Sequence, residues 1–332
     1  MTPKKWYRAN AELVQLAAHN IAQEIGDPPI KAVLVIYSLE KCDLAERIAA
    51  QISARGLESY CLELAPEINA GQVALKELVH RLASQWGLVL LIEPRHADFL
   101  FETVGRPDAW FIIPTDHLFC DWLIQPAGLI RTYGIDMDEL RQFRQALLTQ
   151  LYAAHEIHIT TQKGTDITVN PRGWNLTNGE VFTAPLENIA NGRILVDGCA
   201  YGNPPKIPFL LIIESGRVVN LTDLDQTDEQ QSWVYQDLTR DGNASTLAEF
   251  GIGINPGARR EEDLMEAEQA RGTCHFGFGN HIAYGGQNKS SYHFDLVIKR
   301  PTIEVDGKEV CRAGKFLFPH AAHLPQIQAM IK

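Results

Sequence analysis

The sequence predicts two architectures in succession: an open parallel α/β domain over residues 1–150, then a β-rich α+β metal-binding domain over 151–332. Three observations point there. Up to about residue 145, short β-branched runs alternate with amphipathic helical stretches, the pattern of a parallel sheet covered on both faces. Beyond His155 the strands become short and alternating, with Gly-containing turns between them. The length of 332 residues suits about two domains and allows a large buried core.

Residues 6–26 place Leu13, Leu16, Ala17 and Ile21 at helical spacing and are expected to form an amphipathic helix. Lys31–Tyr37 (KAVLVIY) reads as a buried strand, Leu44–Ala54 as a helix, Ser59–Leu62 as a strand and Val73–Trp86 as a helix. Leu88–Ile92 and Trp110–Ile113 are further strands, and a helix over Asp136–Ala153 ends this half. No GxGxxG follows the first strand, which argues against a dinucleotide site. Asp116-His117 follow the strand at 110–113, and the carboxyl ends of such strands commonly face ligands. A helix-capping Asp and a surface His are the plainer account of that pair.

In the second half, His155–Val169 is an alternating stretch broken by Lys163-Gly164-Thr165, a hairpin. Arg193–Val196, Phe209–Glu214 and Val218–Leu221 read as strands, with Ser215-Gly216 turning between the last two. Asp223–Asp241 is polar and helix-forming. Ala248–Ile254, Thr273–Phe278, Tyr292–Ile298 and Thr302–Val305 are strand-like, and Asp306-Gly307 is a strong hairpin turn.

Charge and composition narrow the function. A formal net charge of −11 disfavours nucleic acid or an anionic membrane surface as the main partner. The six cysteines include no CxxC pair, so zinc-ribbon and redox-motif readings fail. Free thiols in a reducing cytoplasm are expected. The start, MTPKKWYRANAELV, has basic residues but not the apolar region of a secretory signal. No run approaches the roughly 18 apolar residues of a membrane span.

The chemistry gathers in Gly272–Val297, GTCHFGFGNHIAYGGQNKSSYHFDLV, with His275, His281, His293 and Asp295. On a strand, residues i and i+2 share a face, so His293 and Asp295 stand side by side while Phe294 packs on the other side. The glycines at 272, 277, 279, 285 and 286 suit a backbone that comes close to something else. Glu180 in GEVFT and Glu249 in LAEFGI are carboxylates in apolar, strand-like contexts, costly to bury unless paired or bound to metal. With His275, His293 and Asp295 they form a ligand set for two divalent ions bridged by a carboxylate and a water. Each has a plainer reading as well: a strand histidine hydrogen-bonded in a core, a strand-edge glutamate facing solvent. Cys274 alternates to the opposite face and reads as core. His155 and His158 are within conceivable reach of the site, though nothing in the spacing demands it.

The segment resembles the signature of the M29 family of metallo-aminopeptidases, the aminopeptidase T type. The likeness rests on Gly272-Thr273-Cys274-His275, on Gly285-Gly286-Gln287-Asn288-Lys289-Ser290 and on His293-Phe294-Asp295. Upstream, Asn175-Leu176 with Gly179–Pro185, and Leu247–Asn255, resemble two further segments of that family, so the match runs over roughly 175–310. The resemblance implies two bound metals, zinc, cobalt or manganese, held by Glu180, Glu249, His275, His293 and Asp295. Glu249 is then the bridging carboxylate and Glu180 a ligand able to shuttle the water's proton. Glu268, seven residues before His275, matches an acidic position and is a weaker candidate. Tyr284 is either an oxyanion donor or a packed aromatic, and His281 either lines the pocket or is a loop residue. The implied activity is removal of N-terminal residues from peptides by a metal-activated water, in a homodimer.

There are departures. Gly179-Glu180 stands where the family doubles Glu, Thr177 where it has Pro, and Tyr284 or Tyr292 near where it has its tyrosine. The chain is also distantly similar to the iron-dependent 2,5-dihydroxypyridine dioxygenases, for which His275, His293 and Asp295 supply a two-His, one-carboxylate Fe(II) set. Glu249 stands where that pattern has a histidine, which favours the hydrolase. A third reading is a repurposed metal-binding protein acting on a non-peptide or modified-peptide substrate.

Overall fold

The computed structural model describes residues 10–24, 32–38, 42–64, 87–91, 110–112, 126–259 and 263–318. Contacts divide the chain into two units, Met1–Met137 and Asp138–Lys332.

In the first unit, α1 (Ala11–Glu24), β1 (Ala32–Ser38), α2 (Cys42–Ala54), β2 (Glu58–Leu64), β3 (Gly87–Leu91), β4 (Trp110–Ile112) and α3 (Pro126–Tyr133) follow one another. The strands form a parallel sheet in the order β2-β1-β3-β4. The apolar run of β1 is buried from Ala32 to Tyr37, as expected of a central strand covered on both faces. Helix α2 buries Leu44, Ala45, Ile48 and Ile52, one stripe at helical spacing. The stripe of α1 is rotated from the expected one: Val14, Ala17, Ala18, Ile21 and Ala22 are buried, while Leu16 is 41% exposed. Small alanines, not the leucine, let α1 lie close to its neighbours. Helix α3 was not foreseen. It opens on a proline, favourable in a first helical turn, and Asn20 Nδ2 donates to the carbonyls of Tyr133 (2.6 Å) and Ile135 (2.9 Å) at its far end. The expected helix 73–86 and the Asp116-His117 pair lie outside the described residues.

Helix α4 (Met137–Leu151) lies in the second unit from Asp138 on, where its Phe143 meets Phe316 edge-on at 5.0 Å while the Arg271 guanidinium lies 4.1 Å over its ring. Two antiparallel sheets follow. Their strands are β5 (Ile157–Thr160), β6 (Asp166–Val169), β7 (Asn175–Leu176), β8 (Glu180–Thr183), β9 (Asn191–Val196), β10 (Phe209–Glu214), β11 (Arg217–Val218), β12 (Leu247–Gly253), β13 (Thr273–Gly279), β14 (His293–Lys299), β15 (Thr302–Val305), β16 (Lys308–Arg312) and β17 (Lys315–Phe316). Helices α5 (Glu229–Leu238) and α6 (Leu264–Gln269) interrupt them.

One sheet runs β11-β10-β9-β6-β5-β15-β16-β17 and the other β14-β13-β12-β8-β7. The expected turns hold: Ser215-Gly216 (φ 48° and 72°) and Asp306-Gly307 (φ 47° and 77°) take the left-handed pairs that tight hairpins need. The expected helix at 223–241 is shorter, because Asp228 caps it by accepting from Gln231 N at 3.0 Å. Alternating burial in β10 marks a sheet with one wet face, whereas every residue of β12 and β13 is buried. Any charge on β12 or β13 is therefore inside the protein. No described helix is long and apolar enough to cross a membrane.

Candidate metal centre

Register decides which side chains meet. In antiparallel pairs, directly opposed residues share a face. Glu180 opposes Gly253, Gly251 opposes both Phe182 and His275, Glu249 opposes Gly277, Gly277 opposes Asp295, and Gly279 opposes His293. Glu180, Glu249, His275, His293 and Asp295 thus lie on one face, carried by four strands because the last two share β14.

The residues between them on that face are glycines, and at two of these an added Cβ would run into the donor side chains. A Cβ on Gly251 would overlap the His275 ring. One on Gly277 would stand 2.7 Å from Glu249 Cβ and 2.8 Å from His293 Cε1, and would also press on Asp295 Oδ1. The bare backbone lets the donor side chains lie across it.

A β-bulge lies immediately before Glu249. Leu247 opposes Phe278 and Glu249 opposes Gly277, so two steps on β12 match one on β13. From Glu249 to Ile252 the pairing with β13 is regular, so Glu249 shares its face with Gly251 by simple alternation, and the bulge offsets only the residues before it.

Two donor groups result, Glu180 with Glu249 and His275, and Glu249 with His293 and Asp295; within each, one ligand atom per residue lies within 4.8 Å of the others. His275 Nε2 is 3.3 Å from Glu180 Oε2 and 3.3 Å from Glu249 Oε1. His293 Nε2 is 3.3 Å from Glu249 Oε2 and 3.3 Å from Asp295 Oδ1. Yet neither His293 Nε2 nor Asp295 Oδ1, both buried, makes a hydrogen bond. Buried polar atoms left so close and unbonded are costly, and a cation between them removes the cost. The second nitrogen of His293, Nδ1, donates to the Asn280 carbonyl at 2.7 Å, which fixes the tautomer and aims Nε2 at the cluster. Donor types, unbonded atoms and the glycine floor all fit divalent ions, and the sharing of Glu249 between groups fits a pair of them.

Electrostatics of the metal-free cluster is extreme. Burial alone would lower the pKa of His275, but Glu180 and then Glu249 push it up to about 9. Burial opposes and Asp295 and Glu249 raise that of His293 well above its ordinary value. Burial would raise Glu249, but His275 and His293 hold it down to about 2. Protons on the imidazoles take the place of cations. His275 therefore stabilises the metal-free fold fully below its unfolded pKa of about 6.5, and that contribution is lost as pH rises through about 9. Glu249 contributes above the ordinary carboxylate range and loses it as pH falls through about 2. Melting in chelator should show stability declining between about pH 6.5 and pH 9, with added zinc or manganese flattening the decline. A metal-free melting temperature that rises over this window would contradict the assignment.

The other expected residues are spread around the cluster. Tyr284, in a short 3₁₀ turn, meets Phe182 at 5.1 Å and His293 at 5.4 Å, both edge-on. Burial, then Glu249 and Asp295, raise its pKa, so its hydroxyl keeps its proton beside the carboxylates. His281 is fully buried but belongs to neither donor group; its Nδ1 donates to the Ala248 carbonyl at 3.1 Å and its Nε2 lies 3.2 Å from Glu187 Oε1. Glu268 is buried on α6 and raises the His275 pKa from a distance without joining either group. Cys274 is core, as expected. His158 instead contacts Asp166 (2.9 Å) and Glu304 (3.7 Å) on the larger sheet, and His155 is exposed, so neither joins the cluster. The reading from sequence missed Asn280, Glu187 and Arg172. Asn280 acts through a backbone carbonyl, which no side-chain pattern reveals. Glu187 and Arg172 pair with each other from loops flanking β8, without motif.

A family model described as 2,5-dihydroxypyridine 5,6-dioxygenase matches residues 129–318, more than half of the chain. No curated protein matches the chain. Among solved structures, 2,5-dihydroxypyridine dioxygenase from Pseudomonas putida KT2440 aligns with a TM-score of 0.66 at 19% identity, over 93% of this chain and 98% of that one. Wild-type AmpT from Thermus thermophilus aligns with a TM-score of 0.62 at 17% identity, over 93% and 99%. At these identities the structural likenesses are of fold, so the M29 resemblance stands as a shared fold and distant similarity. The match to the family model goes further: the chain belongs to the 2,5-dihydroxypyridine 5,6-dioxygenase family.

Proposed function

We propose that the protein is a metal-dependent hydrolase of the aminopeptidase type, cleaving the amide bond beside a free N-terminal amine with water. The observation that supports it is the sharing of Glu249 between two donor groups. Three carboxylates and two imidazoles suit two divalent ions, whereas a mononuclear Fe(II) site of two histidines and one carboxylate uses fewer acids. Glu180, Glu249 and His275 would hold one ion; Glu249, His293 and Asp295 the other. Bound there, two ions supply electrophilic polarisation of a carbonyl oxygen and a water acidic enough to react near neutral pH.

The chain's own groups do the rest. Glu180, fully buried beside His275 Nε2, is placed to take the proton of the attacking water. Tyr284, which keeps its proton, donates to the oxygen that gains charge. Phe182 and the Tyr284 ring exclude water on one side. The substrate is a peptide or a small amide.

The family match supports a second reading, an Fe(II) ring-cleaving dioxygenase, and the comparisons favour neither over the other. Against it, Glu249 stands where the sequence pattern of those enzymes has a histidine. One experiment separates them: protein reconstituted with zinc, cobalt, manganese or Fe(II) is given aminoacyl chromogenic amides in one arm and a dihydroxypyridine in an oxygen electrode in the other. Amine release without oxygen uptake is expected; oxygen uptake with ring cleavage, and no amine release, would overturn the hydrolase.

A further inference from the structure

We propose that His281 is a positioning residue of the metal centre: it locks the β-bulge next to Glu249 and so holds the backbone that carries this ligand. The inference rests on the metal reading above. The bulge falls at Ala248, between Leu247 and Glu249, and a bulged residue leaves the inter-strand ladder. Its carbonyl needs a partner inside the protein, and His281 Nδ1 supplies one at 3.1 Å. A ring nitrogen facing a carbonyl must be the protonated one, so this contact sets the tautomer.

The ring is held from the other sides too. Nε2 faces Glu187 Oε1 at 3.2 Å. Glu187 in turn accepts from Gln287 N at 2.8 Å and pairs with Arg172. The loop wraps around the ring: the His281 carbonyl accepts from Tyr284 N (3.0 Å) and Gly286 N (3.0 Å), and a Cβ on Gly286 would overlap the imidazole. His281 N donates to the Asn288 carbonyl at 3.2 Å. One buried imidazole therefore fixes the bulge under Glu249 and the turn that holds Tyr284 against His293.

The consequence is specific. Losing the Nδ1 donor frees the Ala248 carbonyl, and the bulge beside Glu249 loses its anchor, so the start of the segment that holds Glu249 opposite Gly277 is loosened. The side chain common to both donor groups is then less well held, without any ligand being mutated. The test compares wild type, His281→Ala, His281→Asn and Glu187→Ala in two measurements: zinc affinity against a chromogenic chelator, and amide hydrogen exchange of metal-free protein across residues 247–250 and 281–288. Asn can place its side-chain N–H near the Nδ1 position. Expected are a loss of zinc affinity of about 10- to 100-fold in His281→Ala, faster exchange in both segments, and recovery of both toward wild type in His281→Asn. Glu187→Ala should speed exchange in 281–288 while 247–250 stays protected. Wild-type affinity and protection in His281→Ala would overturn the proposal, as would a His281→Asn protein no better than the alanine variant. If His281→Ala does not fold, the asparagine variant and Glu187→Ala decide by the same readings. Wild type without zinc affinity would sink the metal reading alone, and exchange would still report on the bulge.

Discussion

Glu249→Gln is expected to abolish metal-dependent activity and to lower zinc affinity by more than the roughly 10- to 100-fold typical of an outer-shell residue. Glu249 is the one side chain common to both donor groups. Glutamine keeps its shape but takes away the negative charge and one acceptor oxygen. In metal-free protein, that charge also helps to keep His275 and His293 protonated. Their pKa values should fall in the variant, which NMR titration of the ring protons can follow. Metal analysis gives the simplest check: two ions per chain in wild type against one weak ion or none. A variant that still holds two ions and turns over normally would mean Glu249 does not bridge them.

Gly277→Ala should do comparable damage with a single methyl group. The new Cβ would stand 2.7 Å from Glu249 Cβ and 2.8 Å from His293 Cε1, closer than packed carbons approach. Relief requires pushing aside a ligand from either neighbouring strand, because Gly277 opposes Glu249 on one side and Asp295 on the other. Overpacking of this kind costs about 1–3 kcal/mol, and the metal site should be lost before the fold is. Gly173→Ala is the control: nothing lies within 4 Å of its Cβ position, and its backbone is not left-handed. Thermal melting with and without zinc reads both effects. In Gly277→Ala the stabilisation by zinc should disappear, and in Gly173→Ala it should remain. Zinc stabilisation surviving in Gly277→Ala would show that the glycine floor is not needed.

The donor cluster of the second unit was legible because its acids and imidazoles break a local rule. Acids and imidazoles in apolar strand contexts demand compensation, so Glu180, Glu249, His275 and the His293–Asp295 pair stand out in the sequence itself. Period-two alternation placed His293 and Asp295 together and Phe294 opposite, where it is 4% exposed. Other features were not legible. The α1 stripe was misplaced because leucine outweighs alanine in a hydrophobic pattern, although close helix packing prefers the smaller residue. Helix α6 offered only six residues, too short for a period. Its cap, Asp263 accepting from Met265 N at 2.9 Å, is apparent only once the turn is formed.

From the chain of residues alone came most of the strands and the longer helices, though not α3 or α6, the change of character after His155, and the identity of the side chains that gather. These are local matters, governed by periodicity, turn chemistry and the cost of burying charge. Only the tertiary structure decided that Glu249 serves both groups, that Gly251 and Gly277 form the floor beneath them, and that His281 turns from the cluster toward Ala248. The reason is register. A strand's faces alternate residue by residue, so the donors that Glu249 meets are set by pairing with strands more than 20 residues away, Gly277 standing opposite it and Asp295 opposite Gly277.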